Sequence, residues 1–128
     1  MSVAWFSKLY ALNQAGKFDA AIKAAKGFVK KRPKDWAVRL QYAKALLSVG
    51  ELDACAAELE LAQKLTKGRA AWPWFYQAAL HARRGERTRA FRALEAAIHL
   101  DARLGAEALA SPFFAAFHTS RVFKKLVR

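Results

Sequence analysis

The sequence predicts an all-α solenoid: three helix–turn–helix repeats followed by C-terminal capping helices. Three observations carry that expectation. Glycine returns on a fixed beat at Gly16, Gly50 and Gly85, spacings of 34 and 35 residues, and a period of that length is the mark of a stacked helical-hairpin repeat. Five residues after each glycine comes a small side chain, Ala21, Cys55 or Ala90, within a new apolar stripe. The chain also holds 29 alanines against three prolines and six glycines, a balance that favours helix and leaves little room for strands or flexible linkers.

Taken in order, the first helix pair covers roughly residues 3–15 and 18–31, and Arg32-Pro33 closes it. The second covers roughly 35–49 and 52–66, the third roughly 71–84 and 87–100. Glycine suits the turns because it takes the left-handed conformation that ends a helix without a Cβ penalty. Asp35 is placed to cap the second pair, just after the proline that stops the first. Pro73 falls in a first turn, where its missing N–H costs little.

The second helix of each pair shows the core stripe. Phe18, Ile22, Ala25 and Val29 recur at helical spacing, matched by Leu52, Ala56, Leu59 and Gln63, then by Arg87, Phe91, Leu94 and Ile98. Ala21, Cys55 and Ala90 mark the closest helix approach. That gives Cys55 a packing role, since no basic or metal-binding pattern surrounds it.

At this point the chain resembles a tetratricopeptide repeat protein, whose signature is W-x2-L-G-x2-Y, then A-x3-F, then P. The first copy supplies Trp5, Leu9, Leu12, Gly16, Ala21, Ala25 and Pro33. The second supplies Tyr42, Ala43, Leu46, Gly50, Cys55 and Leu59; the third Trp74, Ala78, Gly85, Ala90 and Leu94. Lys8 replaces the usual leucine, His81 the usual tyrosine, and Lys67 and Ala102 the closing proline. One extra residue falls near Lys67-Gly68-Arg69. The resemblance implies a right-handed α-α superhelix in a single domain over 1–128, with repeats at about 2–34, 35–69 and 70–102 and a capping segment over 103–128.

That last segment is not a fourth copy. It reads as a short helix near 102–110, then Ser111-Pro112 capping Phe113 to Phe117, then Thr119-Ser120 before a helix over Arg121 to Val127. It is similar to the closing region of many bacterial repeat arrays. Phe113, Phe114, Phe117, Phe123 and Leu126 are expected to cover the last apolar face of the stack.

Nothing in the chain offers catalysis a foothold. His81, His99 and His118 fall in different elements, with nothing at metal-ligand spacing beside them. No glycine-rich phosphate loop or nucleophile elbow is present. Glu58 and Glu60 occupy adjacent faces of one helix, a generic pattern. A non-enzyme with no metal and no cofactor is expected. Residues 1–8 lack the pattern of a leader peptide, no apolar run reaches the ~18 residues of a membrane span, and a lone cysteine suits a reducing compartment. A cytoplasmic location follows as an expectation.

What stacked helix pairs do is bind, with first helices lining the concave side. In phase with the family's groove positions stand Phe6, Tyr10, Asn13 and Gln14, then Leu40, Lys44 and Leu47, then Trp72, Phe75 and Arg83. Aromatics beside isolated cations suit an acidic protein or peptide segment. The resemblance also argues against capture of a chaperone tail: Phe6, Tyr10, Trp72 and Tyr76 stand where the carboxylate-clamping donors would be. The same groove is open to a different reading, in which the chain's own C-terminal helix or a second copy fills it.

Charge provides the competing class. The net charge is +13, and residues 1–34 carry eight basic side chains against the one acid, Asp19. Lys23, Lys26 and Lys30, extended by Lys31, Arg32 and Lys34, form a basic patch; Arg83, Arg84, Arg87, Arg89 and Arg92 form a second cluster. Such a patch serves solubility, or it meets nucleic acid or another polyanion. A self-associating structural subunit, a homo-oligomer, is the third reading.

Overall fold

The computed structural model describes residues 3–128, so the expected start of the first repeat at residue 2 lies outside them. Among the described residues every regular element is helical. These are α1 (Val3–Gln14), α2 (Phe18–Lys31), α3 (Trp36–Ser48), α4 (Leu52–Thr66), α5 (Ala71–Arg83), α6 (Arg87–Leu100), α7 (Leu104–Ala110), a 3-10 turn (Pro112–Phe117) and α8 (Arg121–Leu126). Helical hairpins that follow one another along the chain make this the α-α repeat architecture. The chain divides into two compact units, Met1–Lys67 and Gly68–Arg128.

The hairpin turns are made by the glycine beat. Gly16, Gly50 and Gly85 have φ of 74°, 84° and 74°, the left-handed region that only glycine enters without steric cost. The following amide reaches back five residues each time: Lys17 N–H to the Leu12 carbonyl at 2.8 Å, Glu51 to Leu46 at 2.9 Å, and Glu86 to His81 at 2.9 Å. Those bonds satisfy carbonyls that a helix end would otherwise strand. The extra residue before the third hairpin is absorbed by a double left-handed step, Lys67 at φ 55° and Gly68 at φ 67°.

In the first unit α1 packs on α2 and α3, α2 on α3, and α3 on α4. Leu9, Ala21, Ala25, Val38 and Ala45 form a buried cluster, with Trp5, Leu12, Phe18, Ile22, Phe28 and Tyr42 packed around it. In the second unit α5 and α6 form the hairpin, α7 meets α6, and the 3-10 turn packs on α5 and α7. Phe114, Phe117 and Phe123 are buried there as expected, while Phe113 and Leu126 are half-buried. Phe91 closes on Phe117 and Phe123 at 5.0 and 6.5 Å between ring centroids.

The core stripe sits slightly aside from its predicted centre. Its fully buried line runs through Ala21 and Ala25, through Cys55, Leu59 and Ala62, and through Ala90, Ala93, Leu94 and Ala97. Phe18, Ile22, Val29, Leu52, Ala56, Gln63, Phe91 and Ile98 are half-buried flanks, and Arg87 is exposed. Small side chains let helices approach closely, so the alanine line takes the seam and the larger residues are displaced to its edges.

Candidate protein-binding site

In the first unit, α1 and α3, the first helices of the first two hairpins, carry most of the residues expected to line a groove. Asp35 begins α3: its carboxylate accepts from the Val38 amide at 3.3 Å, an N-cap bond. The helix is then pinned on two sides. Arg39 donates from Nε to the Pro33 carbonyl and from Nη1 to Glu58 of α4, both at 2.7 Å. Burial, reinforced by the Glu58 carboxylate and opposed by Arg39, raises the pKa of the neighbouring Tyr42 hydroxyl above its ordinary value. On the α1 side, Asn13 Nδ2 donates to both the Gln41 carbonyl and Gln41 Oε1 at 3.0 Å.

That lock fixes which side chains remain on the surface. Asn13 is 4% exposed, and Leu40 and Leu47 are buried. These three sequence-predicted groove residues hold the helices together and present no surface to a partner, because α3 is covered by α1, α2 and α4 at once. Phe6 is half-buried, whereas Tyr10 is 47% exposed and Gln14 is exposed. The Phe6 and Tyr10 rings stack at 6.1 Å. Half-buried Lys44 reaches across from α3 and donates to Gln14 Oε1 at 3.1 Å. The structure therefore brings Phe6, Tyr10, Gln14 and Lys44 together as one aromatic-and-cationic strip.

In the second unit, Phe75 is only 3% exposed. Its ring meets Phe114 edge-on at 5.5 Å, while Phe113 meets Tyr76 at 6.5 Å. The C-terminal segment thus covers this part of α5, a contact 39 positions away in sequence that helical phase cannot reveal. Trp72 stays half-buried against Phe75 and Tyr76, and Arg83 is exposed.

The basic patch is exposed throughout at Lys23, Lys26, Lys30, Lys31, Arg32 and Lys34, and the Arg32 guanidinium lies 5.2 Å from the Trp5 ring centre. Three of the other reactive side chains are packed or paired within the fold. Cys55 is buried. His118 stacks on Phe123 at 5.7 Å, and His81 Nδ1 lies 3.1 Å from Glu86 Oε1. That hydrogen bond, with the charges of His81, Arg89 and Arg84, holds the Glu86 carboxyl below its ordinary pKa. Among the described residues no three His, Cys, Asp or Glu side chains gather as a metal-binding set.

Residues 12–72, which run from the end of α1 to the start of α5, match the tetratricopeptide repeat family. The protein is a helical repeat protein of the tetratricopeptide type. Among curated proteins no sequence matches it. Tetratricopeptide repeats are interaction modules that mediate contact between proteins, and the family is typically non-catalytic. No helix among the described residues of this repeat protein is long and apolar enough to cross a membrane.

One surface feature escaped the reading of sequence. A cleft between α1 and α2 is lined by Leu12, Ala20, Ala24, Gly27 and Phe28. Its signal was Gly27, a glycine in the middle of an otherwise strong helix, at odds with the turn glycines.

Proposed function

We propose that this tetratricopeptide-type protein is a non-catalytic adaptor that binds an acidic protein segment along the exposed strip of α1 and α3. The observation that carries this reading is the Phe6–Tyr10–Gln14–Lys44 arrangement. Two stacked rings give a partner an apolar anchor, and an amide and an ammonium 3.1 Å apart offer it donors. A carboxylate on the partner would compete with Gln14 for Lys44 and form the stronger, charge-assisted bond. Trp72 and Arg83 offer the same combination, a half-buried ring and an exposed cation, on the second unit taken by itself. A positive net charge of +13 favours an acidic partner over a basic one.

The test is quantitative capture of partners from the native cell with wild type and with a Tyr10→Ala, Lys44→Glu double variant. Both positions are clear of the buried cluster, so the variant retains its helical content. Loss of about ten-fold or more of at least one acidic partner is expected, the scale of losing one anchor residue. Unchanged capture of every partner would overturn the proposal.

A further inference from the structure

A second surface, on the opposite side of α1, has its own chemistry. The cleft between α1 and α2 has a volume of about 490 Å³ and an apolar floor of Leu12, Ala20, Ala24, Gly27 and Phe28. Lys8 rims it from α1, and Lys23 and Lys31 rim it from α2. Lys8 and Leu12 lie roughly half a helical turn away from Phe6 and Tyr10, so this cleft and the strip described above do not overlap. We propose that the α1–α2 cleft is a separate docking groove for an acidic amphipathic helix from a partner protein.

Gly27 supports the idea that the groove takes a helix. A Cβ at this position would meet nothing within 4 Å, so packing inside the chain does not require glycine there. It nonetheless weakens α2, since glycine in a helix interior carries an entropic cost. What its missing side chain does is lower the floor midway along the cleft, with Ala20 and Ala24 continuing the low strip. From Ala20 to Lys31 the floor runs about 16 Å along α2, about three helical turns.

Charge names the occupant. Lysines stand on both banks, and Asp19 is the one acid in residues 1–34, so a helix with an apolar stripe between two acidic flanks is complementary. A second copy of this chain is disfavoured by its net charge of +13, which opposes self-association. Nucleic acid fits the floor poorly. Phosphates would lie over methyl groups, and one face of the Phe28 ring is already taken by Trp5 at 4.5 Å.

The test uses a fluorescein-labelled helical peptide of about 16 residues, with leucine on one face and glutamate on both flanks, titrated against the full chain by fluorescence anisotropy. A peptide with glutamine in place of glutamate and a uridine oligonucleotide serve as comparisons. Gly27→Trp fills the floor from a position where a Cβ meets nothing within 4 Å, and Lys23→Glu with Lys31→Glu reverses the rim at exposed positions. Each change is expected to weaken the glutamate peptide about ten-fold or more, whereas Tyr10→Ala with Lys44→Glu leaves it within about two-fold. The glutamine peptide is expected to bind at least about ten-fold more weakly. Absence of peptide binding, insensitivity to Gly27→Trp and to the rim reversal, or tighter binding of the oligonucleotide would each overturn the proposal. Equal weakening by the Tyr10 and Lys44 variant would move the site to the other face and overturn it too.

Discussion

Asn13 shows how one buried amide can decide which residues a partner can reach. Its Nδ2 serves both acceptors of Gln41, while its own Oδ1 has no hydrogen-bond partner. The lock draws α1 onto α3, and in doing so removes Leu40 and Leu47 from the surface. Asn13→Ala leaves the buried Gln41 Oε1 without the donor that serves it, so a loss of about 1–3 kcal/mol is expected, read by chemical denaturation. Glu86 is a different kind of residue, a half-buried carboxylate at the third turn. Its carboxyl is held low chiefly by the His81 hydrogen bond. A lowered carboxyl pKa stabilises the folded state at neutral pH, and that contribution disappears as pH falls through the lowered value. Thermal midpoints should therefore fall below about pH 4, and Glu86→Gln should flatten that fall. Asp101 adds to the same trend, since its bonds with Arg103 hold it low as well.

At the scale of elements, what was legible in the sequence was local chemistry. The three turn glycines, the Asp35 cap, the first-turn position of Pro73 and the Ser111 and Ser120 caps all depend on residues within a few positions of one another. Ser111 Oγ accepts from the Phe113 amide at 3.2 Å and Ser120 Oγ from Phe123 at 3.3 Å. The burial of Leu40, Leu47 and Phe75 was not legible, because helical phase tells which way a side chain points and not what arrives to cover it. Two glycines make the contrast sharp. At Gly105 a Cβ would come within 2.8 Å of the Val127 carbonyl oxygen, so the close approach of the chain's end demands glycine. At Gly27 nothing stands near. Gly105→Ala should destabilise by about 1–3 kcal/mol through overpacking, whereas Gly27→Ala should stabilise by about 0.5–1 kcal/mol. Paired denaturation curves check both, and a loss at Gly27 would show that its space is already filled.

At the scale of the whole molecule, two compact units carry an excess of positive charge that is concentrated in residues 1–34 of the sequence. The first hairpin bears most of it, on the same unit as the aromatic strip of α1 and α3. Exposed cations contribute little to folding, but they raise association rates with acidic partners and make binding sensitive to salt. The repeat architecture could be read from periodicity because each hairpin restates it. The partner surface could not, because it depends on which face of each hairpin is left uncovered.

The most direct test of the binding face is site-specific photo-cross-linking in the native cell, with benzoylphenylalanine in place of Tyr10 and, as the control, in place of exposed Glu60 on α4. Adducts at position 10 that map to acidic protein segments, and that are missing from position 60, are the predicted result. No protein adduct at position 10, or the same adducts at both positions, would contradict it.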